Sequence, residues 1–203
     1  MKVVCVGRNY AQHVKELSNA IPETPLIFIK PQTAVVKNNR AFNYPGFSKD
    51  VHYEVELFFR IAKNGRDIPA DQAMEYVDGI GIGIDFTARD VQQQSKEKGW
   101  PWETAKAFDH SAPISAIRPL DTFEDLTNIH FHLDKNGTTV QKGHSGDMIF
   151  SLPELVAYMS RYFTLNIGDL IFTGTPAGVG PVEVGDTLEA YVEDQLWLTC
   201  PVT

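Results

Sequence analysis

The apolar residues of this chain come in short runs, and each run is closed by a chain breaker. Val3–Val6 stops at Gly7-Arg8-Asn9, Leu26–Ile29 stops at Pro31, and Val51–Ile61 is the most strand-like piece. Runs this short suit β-strands, and none approaches the ~20 residues of a membrane span. Gly79-Ile-Gly-Ile-Gly-Ile-Asp85 alternates with period two and reads as a further strand. Lys37–Arg40 is a turn and Asp134-Lys-Asn-Gly137 a hairpin signal. Leu165–Asp169 and Val182–Asp186 repeat one kind of turn ahead of two more strands.

Helical signals are fewer. Asn9 stands as the cap of a helix over Tyr10–Leu17. Pro69 opens one around Ala70–Val77, which Gly79 closes. Thr87 caps one over Ala88–Lys98, with Asp90 at the capping-box position and Gly99 at its end. Ser151-Leu-Pro-Glu154 is a capping box opening a helix to about Tyr162. The expected fold is therefore α+β, mostly β, with a few short helices. No linker divides the 203 residues, so residues 1–203 are expected to form one domain. Residues about 10–25 are polar and short on anchors, and are expected to be a mobile segment.

The charge, 18 basic against 26 acidic residues, leaves a net −8. That argues against a nucleic-acid partner, which calls for a basic patch. Val3–Val6 is too short for a secretory apolar region, and no membrane segment is expected. Cys5 and Cys200, near opposite ends, are expected to be free thiols in a cytoplasmic protein.

The strongest local chemical signal is His52-Tyr-Glu-Val-Glu-Leu57. In a strand Glu54 and Glu56 share a face, about 7 Å apart at Cα, with Val55 and Leu57 on the other. Their repulsion at an effective dielectric of 20 is roughly 2 kcal/mol, which a divalent cation would turn into binding. A solvated face of an edge strand gives the same pattern. Asp85 ends a strand just before a capped helix, and aspartate is depleted within strands; a helix-cap or turn aspartate is the plain alternative, but Thr87 already supplies the cap, which leaves Asp85 without an obvious structural task. Three carboxylates without cysteine favour Mg²⁺ or Mn²⁺, then Ca²⁺, over Zn²⁺. His13 and Glu16, one helical turn apart, suit a base and its orienting carboxylate, or an ordinary surface pair. Lys106 is isolated among small residues and equally suits a surface position. His130 and His132 share a strand face and read as its polar side. The Gly-rich stretch Thr173–Gly180 lacks the ending of a phosphate-binding loop.

Taken in order, Val4-Cys-Val-Gly-Arg-Asn-Tyr-Ala-x-His13, Phe28-Ile-Lys-Pro31, His52-x-Glu-Val-Glu-Leu57, Asp85-Phe-Thr-Ala-Arg-Asp-Val-Gln92, Gly99-x-Pro-Trp102, Ala105-Lys-x-Phe108 and Leu170-x-x-Thr-Gly-Thr-Pro-x-Gly-Val-Gly180 resemble the fumarylacetoacetate hydrolase family. The resemblance runs from about residue 2 to 198 and is closest to its short acylpyruvase and oxaloacetate decarboxylase members. It implies a β-roll of mixed sheets with flanking helices, usually a homodimer. It implies Glu54, Glu56 and Asp85 as ligands of Mg²⁺ or Mn²⁺, with water at a position that larger members fill with a further carboxylate. It implies Lys106, His13 and Glu16 as catalytic, the last two on a lid. Arg89, Gln92, Thr175 and, less directly, Lys30 match substrate-pocket side chains. The activity implied is metal-dependent cleavage of a C–C bond next to a 2-oxo acid, through a metal-stabilised enolate: acylpyruvate hydrolysis, oxaloacetate decarboxylation, or enol–keto isomerisation at the same site. The alternative within the family is an isomerase or decarboxylase of 2-hydroxyhepta-2,4-diene-1,7-dioate compounds. A non-enzymatic protein binding a metal or oxo acid is the more distant rival.

Overall fold

The computed structural model describes residues 1–16 and 20–203. Its largest layer is a six-stranded mixed sheet in the order Ile27–Lys30, Val3–Val6, Leu170–Phe172, Val55–Ile61, Val77–Ile84 and Arg118–Pro119. Val3–Val6 runs parallel to Leu170–Phe172, and the other neighbours are antiparallel. A second, antiparallel sheet has the order Thr138–His144, His130–Lys135, Thr187–Val192 and Gln195–Pro201. A three-stranded sheet joins Gly180–Pro181, Val51–Tyr53 and Thr87–Ala88, and Val35–Val36 pairs with Ala112–Pro113. Short α-helices over Ala11–Glu16, Arg89–Lys98, Glu103–Lys106 and Leu152–Tyr162 flank these sheets. The mostly-β α+β expectation holds.

The alternating Gly/Ile strand sits second from one edge of the central sheet, and both of its faces are buried. Ile80, Ile82 and Ile84 enter the main core. The glycines make room on the other face: a Cβ on Gly81 would lie 2.3 Å from the Phe58 ring, and one on Gly83 would lie 2.7 Å from Phe172. Those two rings stack at 5.4 Å over the strand, within a second apolar cluster. The sheet thus carries apolar groups on both sides, and its strand ends are the natural place for polar groups to emerge.

Several expectations need correction. Val51–Ile61 is two strands: Val51–Tyr53 lies in the small sheet and Val55–Ile61 in the central one, so the chain changes sheets at Glu54. Asp85 N donates to Glu54 O at 2.8 Å and ties the neighbouring strand's end to that break. Thr87 is no helix cap. It lies in a strand, its hydroxyl donates to Glu54, and the Arg89–Lys98 helix begins after Ala88 with no side-chain cap. Asp90 does not reach back to close a capping box; it accepts from Ser48 Oγ and Lys49 N. Asn9 does not cap either. It is buried, and its amide binds Phe150 O, Phe150 N and Thr173 O, holding three distant segments together. The helix after it starts at Ala11, and the expected end at Leu17 lies outside the described residues. Ala70–Tyr76 forms 3₁₀ turns, and Gly79 lies inside the next strand. Only Ala73 of that segment is buried, so little apolar contact rewards a regular α-helix. Gly99, in the left-handed region at φ 67°, ends its helix as expected, and Ser151 with Glu154 opens the last one.

Candidate active site

The three acidic candidates arrive from two adjacent strands. Glu54 stands at the sheet switch, Glu56 two residues on, and Asp85 directly after Val77–Ile84. The pairing Val55↔Ile84 and Glu56↔Gly83 sets Asp85 beside Glu54. All three are buried, at 5%, 1% and 0% exposure, so the solvated-edge and turn readings fail. One oxygen from each lies within 4.8 Å of the others.

Basic groups surround the trio. Lys106 Nζ, itself buried, donates to Glu54 Oε2 at 2.8 Å and Asp85 Oδ2 at 2.6 Å, which removes the surface-lysine reading. Its backbone comes from the short helix Glu103–Lys106, which the small residues around it gave no reason to expect. Arg89 Nη2 donates to Glu54 Oε1 at 2.5 Å, and Arg89 Nη1 donates to Gln92 Oε1 at 2.9 Å. Lys30 Nζ lies 2.7 Å from Asp85 Oδ1, off hydrogen-bond geometry. Its hydrogen bonds go to the carbonyls of Phe86, Lys106 and Ser111 and to Ser111 Oγ, so protein acceptors enclose it.

These contacts set the protonation states. Burial pushes the Glu54 carboxyl up, but Lys106 and Arg89 outweigh it and hold Glu54 well below the usual carboxylate range. Glu56 lacks a cation at contact and is pushed up, by burial and then by Asp85 and Glu54. Burial alone would lower Lys106; Asp85 and Glu54 reverse that and raise it, so its ammonium stays charged.

His13 and Glu16 meet on the Ala11–Glu16 helix, with Nδ1 3.2 Å from Oε2. His13 is 2% exposed, which sets aside the ordinary surface pair. Burial lowers its pKa despite Glu54 and Glu16. Glu16 Oε1 accepts the amide of Gly178 at 3.0 Å, so the helix is pinned to the Gly-rich loop. That loop also donates Gly174 N to Glu56 Oε2 at 2.8 Å and carries the buried Thr175. His13, Arg89, Gln92, Lys106 and Glu54 line one cleft with Gly7, Arg8, Lys96 and Trp102, holding a cavity of about 20 Å³. That is room for one water-sized group.

Sequence reading missed two polar residues here. Thr87 is the hydroxyl donor to Glu54 described above. Gln141, 1% exposed, reaches in from the second sheet. Its strand follows the Asp134–Gly137 hairpin turn, and no local pattern marks it.

The donor set fits a hard divalent cation. It is all oxygen, it converges, and Glu56 is destabilised as an anion by its own neighbours.

The family model described as fumarylacetoacetate (FAA) hydrolase C-terminal matches residues 2–203. The chain is 44% identical over 191 residues to the mitochondrial oxaloacetate tautomerase FAHD1 of Mus musculus, covering 94% of this chain and 86% of that one. It is 45% identical over 192 residues to the mitochondrial oxaloacetate decarboxylase of Dictyostelium discoideum, covering 94% and 88%. Among solved structures, fumarylpyruvate hydrolase of Pseudomonas aeruginosa, in complex with Mn²⁺ and pyruvate, superposes with a TM-score of 0.94 at 40% identity, covering 100% of this chain and 89% of that one.

Proposed function

The chain belongs to the fumarylacetoacetate hydrolase family, and from that premise we propose that it is a divalent-cation-dependent enzyme working at C3 of a small 2-oxo acid, oxaloacetate foremost. The observation that carries this reading is the buried convergence of Glu54, Glu56 and Asp85, with Lys106 Nζ bridging two of them and the His13–Glu16 pair in the same cleft. Glu54, Glu56 and Asp85 would hold Mg²⁺ or Mn²⁺, with Ca²⁺ as the weaker fit. When bound, the cation would supply Lewis-acid polarisation of the 2-oxo group.

The chain's own residues do the rest. Lys106 presents a fixed ammonium where negative charge grows on the 2-oxo oxygen, an oxyanion-type contribution that needs no reorganisation. Arg89, Gln92 and Thr175 bind the substrate's oxygens. Lys30 holds the Lys106 backbone and Asp85 rather than substrate. Glu16 holds His13 through Nδ1, leaving Nε2 to accept a proton. For keto–enol exchange of oxaloacetate, His13 Nε2 takes the C3 proton and delivers it to the 2-oxo oxygen, or carries it the other way when the enol becomes the ketone. For decarboxylation, the C3–C4 bond electrons pass into the enolate as CO₂ leaves, with no base required. For an acylpyruvate, His13 deprotonates the water that attacks the distal carbonyl. Residues 1–203 act as one catalytic unit, with about 10–25 as its lid.

The test is ultraviolet-monitored turnover of oxaloacetate and acetylpyruvate with Mg²⁺ or Mn²⁺. Glu56→Ala and Asp85→Ala should abolish it, and full activity in either variant would sink the ligand set. His13→Ala should reduce hydrolysis and tautomerisation more than decarboxylation; equal losses would remove its role as a base.

We place the enzyme in the cytoplasm and as a homodimer. The first is supported by two buried thiols, Cys5 and Cys200, outside any disulfide. The second is supported by a broad apolar groove of about 810 Å³ lined by Ile29, Pro31, Phe47, Ala107 and Phe108 beside the site. Sedimentation velocity should give a dimer mass.

A further inference from the structure

Gln141 is a buried side chain in the Thr138–His144 strand of the second sheet, yet every hydrogen bond it makes leaves that sheet. Its Oε1 accepts the amide of Val55, the residue between Glu54 and Glu56, at 2.9 Å. Its Nε2 donates to Thr175 Oγ1 and to Pro176 O, each at 2.9 Å. The orientation of this carboxamide is fixed by its partners. A backbone N–H can only donate and a carbonyl can only accept, so a flipped amide would lose both contacts. The hydrogen bond to Thr175 therefore has a definite polarity, with the Thr175 oxygen as acceptor.

We infer that Gln141 is the positioning residue that makes Thr175 a hydrogen-bond donor to the substrate's anionic oxygens. A hydroxyl has one hydrogen. With Gln141 Nε2 donating to its oxygen, Thr175 keeps that hydrogen free for a third group. Gln141 itself touches no substrate. The loop is held tightly against this strand, since a Cβ at Gly178 would lie 2.2 Å from Val140 O. One carboxamide thereby couples the strand carrying the paired glutamates to the loop that anchors Glu16. This inference rests on the reading of Thr175 as a substrate contact.

The test is a double-mutant cycle on the full chain at saturating Mn²⁺, with oxalate affinity measured by calorimetry. Oxalate imitates the planar enolate. Gln141→Glu keeps an oxygen for Val55 N but turns the other position into an acceptor, which captures the Thr175 hydrogen. It should weaken oxalate by about tenfold or more, as should Thr175→Ala, because a hydrogen bond to an anion is lost in both. The double variant should be no weaker than either single one. Gln141→Leu runs the same cycle should Gln141→Glu fail to fold. Oxalate binding within twofold of the parent in Gln141→Glu, or losses that add in full with Thr175→Ala, would overturn the inference. Absence of oxalate binding in the parent chain would instead overturn the functional reading beneath it.

Discussion

His13 combines near-complete burial with a carboxylate on one nitrogen, and burial dominates its protonation. The imidazole is therefore neutral at pH 7 and remains so below its ordinary value of about 6.5. The acid limb of kcat/KM for hydrolysis should accordingly fall below pH 6.5, and His13→Ala should lower the plateau by roughly 10²–10⁴-fold. Glu56 gives an opposite dependence in chelator-treated protein. Its folded pKa is raised, so the native state holds a proton that the unfolded chain releases at a lower pH. Stability from this group is full below the unfolded carboxylate value and declines as pH rises toward the folded one. Urea melts across pH 4–8 should show that decline in the parent and a flatter profile in Glu56→Gln. Charge chemistry marked Glu54 and Glu56 as a pair that a counter-ion would relieve, the strand-end position added Asp85, and the family resemblance named the three as ligands. Gln141 could not be drawn out: its partners lie 86 and 34 residues away, in the central sheet and in the Gly-rich loop.

At the level of elements, the Gly/Ile strand was readable because period two needs no knowledge of neighbours. What the period could not tell is why the small residues are glycine. The reason is the pair of rings stacked over them, and Gly81→Ala should destabilise the fold by about 1–3 kcal/mol through overpacking against Phe58. Denaturant melts would measure it, and a Phe58→Leu partner change should recover part of the loss. The cap assignments went astray for one physical cause. Asn9, Thr87 and Asp90 have side chains suited to capping, but tertiary acceptors and donors claimed them: Phe150 and Thr173, Glu54, and Ser48 with Lys49. Local capping worth about 1 kcal/mol yields readily to a buried network. Ser151, exposed and with no such competitor, caps as its sequence suggests.

Across the whole molecule, the carboxylate trio ties the central sheet to the small sheet through one residue, Glu54. Cation binding should therefore be felt globally. Mn²⁺ at 100 times its dissociation constant stabilises by about 2.7 kcal/mol, or about 5–10 °C in melting temperature for a chain of this size. Calorimetry should show that shift in the parent and none in Asp85→Asn. The hydrogen bond between Glu16 and Gly178 has an effect on the same scale. The carboxylate that fastens the Ala11–Glu16 helix to the loop also steadies the imidazole. Were the helix to swing outward, the entrance would open and the base would lose its alignment in one motion. An ajar enzyme would then be chemically idle, and solvent passing through the doorway would meet no primed proton acceptor.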